Sequence, residues 1–427
     1  MKKALLIVLA LAMPGVARAD AVLDWNETAA SAGFAAGLDN SFGCVDPLHE
    51  SRIFAMMHAA IHDALNAIDR RFQPYAFDAQ APAGTSREAA VAAAAHDVLV
   101  ATFSQLPKDP ELGLTPAAAI DLVEATYAAV LAAIPDTPAK AQGILVGQSA
   151  AAAILELRDA DGSDAPFLDA TYKPGPSPGD FQYIPGIPFV AGPHWGNVTP
   201  FVLSSSSQHQ PKKPYAVTSK KYTADFIEVK SLGAADSTTR TDEQEEIALF
   251  WIEGAPQAWN RIARMVSVQA GFDVWQNARL FALLNFASAD GYIADFHAKY
   301  LYEFWRPITA IRAADDDGNP ETIADPTWDS LAGTPPAPDY TSGHSVEGSA
   351  MAQVLAQFFG DAVNFSTTST TRPGVTRSFT SFSQAAEENG NSRIYVGFHF
   401  RHAVEEGIKL GAKVANVAVN HYLRPVH

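Results

Sequence analysis

Four segments in the first third of the chain each predict a long helix, with little sequence between them. Residues 51–71 place apolar side chains at helical spacing, and residues 87–106 are rich in alanine. Thr115-Pro116 and Thr137-Pro138 open two further runs, to residues 134 and 157. A proline at the first helical position is a common start signal. Long helices joined by short loops favour antiparallel neighbours, so this part predicts an antiparallel bundle.

The rest of the chain extends this mostly α pattern. We expect residues 21–49 and the Pro/Gly/Ser-rich segment 159–213 to be irregular, since loops this long are usually functional or wrap a domain surface. Residues 361–380 predict a small β hairpin. The sequence thus predicts an N-terminal helical bundle with a long loop over 20–215, and a C-terminal helical bundle over 216–427. Further helices are predicted at 219–232, 242–251, 255–267, 272–305, 351–359 and 400–422.

The first nineteen residues predict a secretory signal peptide. Lys2 and Lys3 precede an apolar run over residues 4–13, and Ala17-Arg18-Ala19 forms a small-x-small cleavage site before Asp20. The apolar run is too short to span a bilayer. We therefore expect cleavage near Ala19–Asp20 and a periplasmic or secreted mature protein with no membrane span.

Charge and cysteine content narrow the possible partners. Removing residues 1–19 changes the formal net charge from −17 to −20, which argues against binding to nucleic acid or anionic membranes. Any local cluster of cations is therefore informative. Cys44 is the single cysteine, so an intramolecular disulfide is excluded and the fold depends on its apolar core.

One candidate anion site lies at Ser342-Gly343-His344, with His344 in the first turn of the predicted helix that contains the apolar run 351–359. A serine hydroxyl, a glycine amide and an imidazole at a helix N-terminus can bind an oxyanion, because the first amides of a helix are free and its dipole favours negative charge. A Ser-Gly pair at this place is also a common helix cap. The segment alone therefore leaves both interpretations open.

Two further segments carry cations and a second histidine. Lys299 and Arg306 are seven residues apart, which on one helix places them on the same face with Cα atoms ~10.5 Å apart. Pro307 should end or kink that helix at Arg306 and start a new one. Arg393 and His399 are six residues apart, so a bend at Gly397 is needed to bring them together. The alternative for each is a solvated cation or a hydrogen-bonded core histidine.

Taken together, the three segments resemble the vanadium-dependent haloperoxidases and the related type 2 phosphatidic-acid and class A acid phosphatases. The shared pattern is Lys-x6-Arg-Pro, then Ser-Gly-His, then Ser-Arg-x3-Gly-x-His over residues 299–399. The string Phe304-Trp305-Arg306-Pro307 and the helix with His58, Asp63 and Asn66 are more similar to the haloperoxidase branch.

The resemblance implies a role for each of seven residues in a vanadate site. The cations would neutralise the equatorial oxygens, and a hydroxyl and an amide would hydrogen-bond them. One histidine would bind vanadium and the other would act as acid and base toward hydrogen peroxide. These residues are Lys299, Arg306 and Arg393 as the cations, Ser342 for the hydroxyl, Gly343 for the amide, His399 as the vanadium ligand and His344 as the acid and base.

The implied activity is oxidation of a halide by hydrogen peroxide, and a homodimer is common in the resembling family. Because phosphate and vanadate share shape and charge, phosphate can occupy the same pocket. The alternative is a phosphatase that hydrolyses phosphate monoesters through a phosphohistidine at His399, with His344 protonating the leaving oxygen. A non-catalytic oxyanion binder is the third hypothesis.

The chain departs from the family pattern at three positions. Thr341 replaces the common proline before Ser-Gly-His. Ala337 stands where haloperoxidases often carry Phe or His, so the halide is not predicted. Ala403 stands where an aspartate usually orients the second histidine, and the neighbouring Glu405 and Glu406 are the open alternatives.

Two weaker patterns resemble parts of metal sites. His58 and His62 are spaced like half of a zinc site but have no third ligand at a telling spacing. The acidic turns at residues 159–163 and 315–319 lack the terminal glutamate of a calcium loop. We interpret the histidines as core residues and the acidic segments as turns.

Overall fold

Helices make up most of the computed structural model, which describes residues 20–37, 45–106 and 115–426. The predicted mostly α class is confirmed. The predicted signal peptide and Cys44 lie outside the described residues. The helices in the described ranges are α1 (Ala21–Ala35), α2 (Pro47–Ile68), α3 (Arg87–Gln105), α4 (Ala117–Ala133), α5 (Pro138–Leu157), α6 (Lys220–Leu232), α7 (Asp242–Phe250), α8 (Ala255–Ala270), α9 (Val274–Tyr302), α10 (Pro307–Arg312), α11 (Gly343–Phe359), α12 (Phe382–Tyr395) and α13 (Arg401–His421).

Four short strands form two antiparallel pairs in the described ranges. β1 (Leu168–Asp169) pairs with β2 (Val190–Ala191) inside the long loop. β3 (Phe365–Thr368) pairs with β4 (Thr376–Phe379), which confirms the hairpin predicted within residues 361–380. Two short 3₁₀ turns lie at Trp195–Asn197 and Ala314–Asp316.

The N-terminal segment contradicts one prediction, since α1 occupies residues expected to be irregular. Asp20 caps this helix by accepting hydrogen bonds from the amides of Val22 and Leu23 at 3.0 and 3.1 Å. Buried Val22 and Trp25 then attach α1 to the core. Helix α2 also begins earlier than predicted, because Asp46 caps it and Pro47 is its first residue.

Helix α9 is the central element of the core. It packs against α2, α11 and α13, and most of its residues are buried on every side. The largest apolar cluster includes Met57 of α2, Phe281 of α9 and Val414 of α13. Helices from both predicted bundles thus contribute to one core, while the boundary at residue 215 stays a prediction. No helix among the described residues has the length and apolar character needed to cross a bilayer.

Buried carboxylates fix two loops on this core. Asp290 of α9 accepts hydrogen bonds from the amides of Phe201, Val202 and Leu203 at 2.6, 2.8 and 2.7 Å. Asp63 of α2 does the same for residues 75–77. A buried carboxylate needs several donors to offset its desolvation, and three amides supply them. Asp290 therefore fastens the long loop against α9, the helix that carries Lys299.

Two glycines let α13 lie directly against the first turns of α11. A Cβ atom added at Gly411 would lie 2.1 Å from the carbonyl oxygen of Val346, and one at Gly407 would lie 3.0 Å from that of Ser342. Such distances leave no room for a side chain. The spacing of four residues puts both glycines on the same face of α13.

Replacing Gly411 by alanine is expected to lower the free energy of unfolding by about 2 kcal/mol. Alanine gains about 1 kcal/mol in helix propensity, but forcing a methyl group into packed backbone costs about 3 kcal/mol. Urea unfolding measures the difference. Gly333→Ala is the matched control, because nothing lies within 4 Å of its added Cβ. Equal stability of the two variants would contradict this account of the α11–α13 contact.

Candidate active site

The two cations predicted to share one helix lie on either side of a helix break. Helix α9 ends at Tyr302, and Glu303 follows with a left-handed φ of 45°. Arg306 is instead the N-cap residue of α10, directly before Pro307. The prediction that Lys299 and Arg306 lie two turns apart on one helix is wrong. The break comes three residues before Arg306, and both side chains turn toward the same loop.

Lys299 directs its ammonium group at the loop before α11. Its Nζ donates to the carbonyl oxygens of Pro338 at 3.0 Å and Asp339 at 3.2 Å, and also to that of Thr341. The Asp295 carboxylate lies 3.8 Å away, one turn earlier on α9. Lys299 thus holds this loop with its hydrogen-bond donors and contributes its positive charge to the site. The i, i+4 spacing of Asp295 and Lys299 is a sequence signal that our predictions missed.

Arg306 connects the loop to the segment that carries His399. Its Nε donates to the Ala337 carbonyl at 2.6 Å, and its Nη1 donates to the Phe398 carbonyl at 3.0 Å. The same Nη1 lies 3.0 Å from Nε2 of His399. Arg306 is 2% exposed, so the guanidinium is enclosed by these acceptors.

Both ring nitrogens of His399 have partners, and the partners define its tautomer. An arginine can only donate, so Nε2 of His399 must accept from Arg306 and carry no hydrogen. The hydrogen is then on Nδ1, which lies 2.9 Å from Oδ1 of Asp339. In this tautomer Nε2 carries the electron pair that a metal ligand or a nucleophile needs, and Arg306, which donates to it here, would have to release it for either role.

The carboxylate beside His399 comes from an unpredicted place. Position 403 is a buried alanine, while Glu405 is exposed and Glu406 pairs with Lys409 at 2.7 Å. Neither glutamate is the partner of His399. Asp339 lies in the Pro-Asp-Tyr-Thr-Ser-Gly-His segment itself, but nothing in its spacing indicates which way its side chain points.

Arg393 extends from the last turn of α12 into the same region. Its Nη1 donates to the Trp251 carbonyl at 3.0 Å, and its guanidinium lies 4.8 Å from the Phe398 ring centre. Its Nε is buried without a hydrogen-bond partner among the described residues. Gly397, at φ 85°, makes the bend that was predicted between Arg393 and His399.

The Ser-Gly-His segment forms the first turn of α11, as predicted, but Ser342 does not cap the helix with its side chain. The Ser345 hydroxyl instead lies 2.9 Å from the Ser342 hydroxyl and donates to it. The hydrogen of the Ser342 hydroxyl is then free for another acceptor. Together with the free Gly343 amide, it gives the helix N-terminus two donors for an anion.

His344 is partly exposed, in contrast to the buried His399. Its Nε2 lies 3.1 Å from the Glu253 carbonyl, and since a carbonyl only accepts, Nε2 carries a hydrogen. Nδ1 is then the atom that can take up a proton. Burial, followed by the positive charge of Arg393, lowers the pKa of His344 below its usual range. His344 is therefore neutral at neutral pH, with Nδ1 open to a proton.

Electrostatics indicate that an anion belongs between these groups. Burial lowers the pKa of Lys299 to about 8, of Arg306 to about 10 and of Arg393 to about 9, and neighbouring cations add to the effect in each case except Arg306. Burial raises the pKa of Asp339 to about 7, against the lowering effect of Arg306 and Lys299. Three buried cations face two carboxylates, Asp295 and Asp339, and a compact oxyanion would balance the excess charge.

The structure thus brings together all seven predicted site residues, and their donor set fits vanadate. The buried Arg393 Nε without a partner among the described residues, the free hydroxyl hydrogen of Ser342 and the Gly343 amide can each hydrogen-bond an oxyanion. Once Arg306 releases it, Nε2 of His399 would supply a nitrogen ligand of the kind that transition metals accept.

The weaker metal patterns form no site in the described ranges. No group of three or more His, Cys, Asp or Glu residues there could hold a metal ion. His58 accepts from Asn26 at 2.8 Å, and burial lowers its pKa to about 3. Asp161 binds Arg52 and Arg158 at 2.8 and 2.9 Å, and Asp317 accepts from the Asn319 amide. These residues are structural.

Sequence comparisons agree with the site geometry. A family model described as the VCPO second helical-bundle domain matches residues 279–427, which include all seven site residues. The vanadium chloroperoxidase of Curvularia inaequalis is 28% identical over 214 residues, an alignment that covers 42% of this chain. It spans only 34%, about a third, of that relative's length.

Comparisons with solved structures extend to almost the whole chain. The structure described as the first bacterial vanadium-dependent iodoperoxidase aligns with a TM-score of 0.76 and 25% identity, covering 95% of this chain and 98% of that one. A holo-type bacterial vanadium-dependent chloroperoxidase has the same fold, with a TM-score of 0.72, 17% identity and coverage of 92% and 95%. The family model, the curated relative and these structures all come from vanadium haloperoxidases, and together with the site they support the assignment of this chain to that family of enzymes.

Proposed function

We propose that this chain is an exported, vanadate-dependent haloperoxidase that oxidises a halide with hydrogen peroxide. The observation that carries the proposal is the grouping of three buried cations, a helix N-terminus and two histidines around one small site. Cations alone would suit any anion. Two histidines in different environments, one buried and one partly exposed, add a ligand and a proton carrier.

The residues have separate tasks in this proposal. Vanadate, when bound, supplies the Lewis-acid activation of hydrogen peroxide. Arg306 and Arg393 hold its oxygens, and Lys299 contributes charge while fastening the loop. His399 offers Nε2 as ligand, and its Nδ1–H stays directed at Asp339. His344 takes up a peroxide proton on Nδ1 while Nε2 remains bound to the Glu253 carbonyl.

The overall reaction converts hydrogen peroxide, a halide and a proton into hypohalous acid and water. The halide loses two electrons and the peroxide O–O bond is cleaved as it accepts them. Ala337, beside the site, packs with Trp195 and Phe296 in an apolar cluster. Its carbonyl binds Arg306, while its methyl group makes no polar contact with a halide. The related iodoperoxidase makes iodide the first halide to test, followed by bromide and chloride.

The direct test is halogenation of a phenol dye by purified protein with vanadate, hydrogen peroxide and each halide in turn. The proposal predicts turnover that requires all three components. Absence of turnover with every halide, in a protein that binds vanadate, would refute it. N-terminal sequencing of the protein from a periplasmic fraction tests export, with Asp20 as the expected first residue.

His344→Ala is expected to lower halogenation about 100-fold and to leave vanadate affinity within a few fold. General acid–base groups typically contribute at least this much, whereas the charge that binds the anion comes from other residues. Steady-state kinetics and a vanadate titration separate the two effects. A loss of affinity equal to the loss of turnover would assign His344 to binding instead.

A phosphatase on the same site is the second candidate, and Asp339 is the observation in its favour. A nucleophilic imidazole needs its other nitrogen oriented, and the aspartate that usually does this is replaced by Ala403. The Nδ1–Asp339 hydrogen bond of 2.9 Å supplies that orientation instead. Nε2 of His399 would attack phosphorus and the leaving oxygen would take a proton from His344.

Two measurements on one preparation distinguish the candidates. Hydrolysis of a chromogenic phosphate ester that vanadate inhibits and His399→Ala abolishes would favour the phosphatase. Halogenation without ester hydrolysis would favour the haloperoxidase. Tight vanadate binding with neither reaction, unchanged in His344→Ala, would indicate a non-catalytic binder.

A further inference from the structure

The side chain that orients His399 can be identified from contacts that lie outside the helix following this histidine. In the resembling pattern an orienting aspartate stands at position 403, but here that residue is a fully buried alanine whose carbonyl accepts from the Ser342 amide. A different residue must supply an acceptor for Nδ1 of His399 if the ring is to keep one orientation.

Asp339 has the geometry for this task. Its Oδ1 lies 2.9 Å from Nδ1 of His399, and both side chains are almost completely buried, with 1% and 5% exposed. Because Arg306 donates to Nε2, the hydrogen of the ring faces the carboxylate. The two partners select the same tautomer and clamp the ring from opposite sides.

The position of Asp339 is itself fixed by the rest of the site. Its amide donates to the Phe304 carbonyl at 2.8 Å, and its carbonyl accepts from Lys299 at 3.2 Å. The Phe400 amide also faces its carboxylate and offsets part of the burial that raises the pKa of this group. Asp339 is therefore tied to the α9–α10 break and to the start of α13.

We propose that Asp339 is the positioning residue for His399, supplied by the loop before Ser-Gly-His instead of by α13. This inference rests on the proposed role of His399 in oxyanion binding. It places the carboxylate on the same loop whose carbonyls hold Lys299 and Arg306. One loop thereby aligns two cations and the histidine ligand.

The test uses Asp339→Ala and Asp339→Asn in the full-length protein. Asp339→Ala is expected to weaken vanadate binding about 10- to 100-fold, the usual effect of removing a partner of a metal ligand. Asp339→Asn keeps an oxygen that can accept from Nδ1, so it should recover part of that loss. Glu406→Gln is the matched control and should bind vanadate like the wild type, because Glu406 pairs with Lys409.

Histidine NMR at one fixed pH gives a readout that needs neither vanadate nor turnover. In ¹⁵N-histidine-labelled protein the His399 signals, assigned with His399→Gln, should show a single Nδ1–H tautomer. Asp339→Ala should give a mixture of the two tautomers. Asp339→Asn should keep the Nδ1–H tautomer, and the chemical shift of that hydrogen should be typical of a hydrogen bond to a neutral acceptor. Circular dichroism checks folding; if the alanine variant does not fold, the asparagine variant decides.

Wild-type vanadate affinity in a folded Asp339 variant, with an unchanged His399 signal, would overturn the inference. An equal loss in Glu406→Gln would also overturn it. A wild type that binds vanadate but oxidises no halide would refute the proposed function alone, because binding and tautomer do not depend on turnover.

Discussion

Replacing Arg393 by methionine is expected to lower vanadate affinity about 1000-fold without destabilising the protein. Removing a buried charge that pairs with a ligand costs about 4 kcal/mol of binding free energy. Arg393 is 3% exposed and its Nε lacks a partner among the described residues, so a bound anion can accept a hydrogen bond from this Nε. Methionine fills similar volume and relieves the repulsion from Arg306 that helps to lower the pKa of Arg393 to about 9.

Affinity and stability separate a binding role from a structural one. Vanadate titration measures the affinity. Urea unfolding without vanadate measures the free energy of unfolding, which should equal or exceed that of the wild type. Arg401→Met is the control, since Arg401 is a partly exposed arginine paired with Glu228 at 2.6 Å. Exposed pairs contribute less than about 1 kcal/mol. A variant of Arg393 that loses stability and keeps its affinity would contradict our assignment.

The sequence predicted most helices because their signals are local. Thr137 caps α5 before Pro138, and Thr241 and Gln244 form the capping box of α7. Helix α1 was missed although Asp20 is a cap, because its small apolar residues gave a weak pattern next to a cleavage site. The break at Glu303 was also missed. No glycine or proline marks it, and the left-handed conformation of a glutamate depends on contacts from distant residues.

The seven site residues could be named from motif order, but their hydrogen bonds could not. The direction of a side chain on a loop depends on what packs around it. The Lys299 donors go to loop carbonyls and the Asp339 carboxylate faces His399. These contacts join segments about 40 to 60 residues apart, and no periodicity reports them. The tautomer of His399 follows from Arg306 only when both side chains are placed.

The buried carboxylates outside the site are a second feature that spacing does not reveal. Glu50 of α2 is 2% exposed, and Gln257 donates to its Oε1. Its Oε2 has no partner among the described residues. Burial is the largest cause that raises the pKa of Glu50 to about 8, and the nearby Glu253 and Asp46 carboxylates raise it further. Folded protein therefore keeps this carboxyl protonated at neutral pH.

Glu50→Gln is expected to raise the free energy of unfolding at pH 9 by up to about 5 kcal/mol, and to change it little at pH 4. Between the unfolded pKa of 4.5 and the folded pKa of about 8, only the folded state holds the proton. Wild-type stability therefore falls by about 1.4 kcal/mol for each pH unit across this range and levels off above it. Glutamine has no proton to lose and keeps the oxygen that accepts from Gln257.

Urea unfolding at pH 4, 6 and 9 measures the difference between the variant and the wild type, in which the titration of all other groups cancels. Glu387→Gln removes the same charge from an exposed position of α12 and should give a difference near zero at each pH. Parallel stability curves for wild type and Glu50→Gln would mean that Glu50 is ionised in the folded state. Water would then have to reach its Oε2, because an ionised carboxylate cannot stay buried there with a single amide donor.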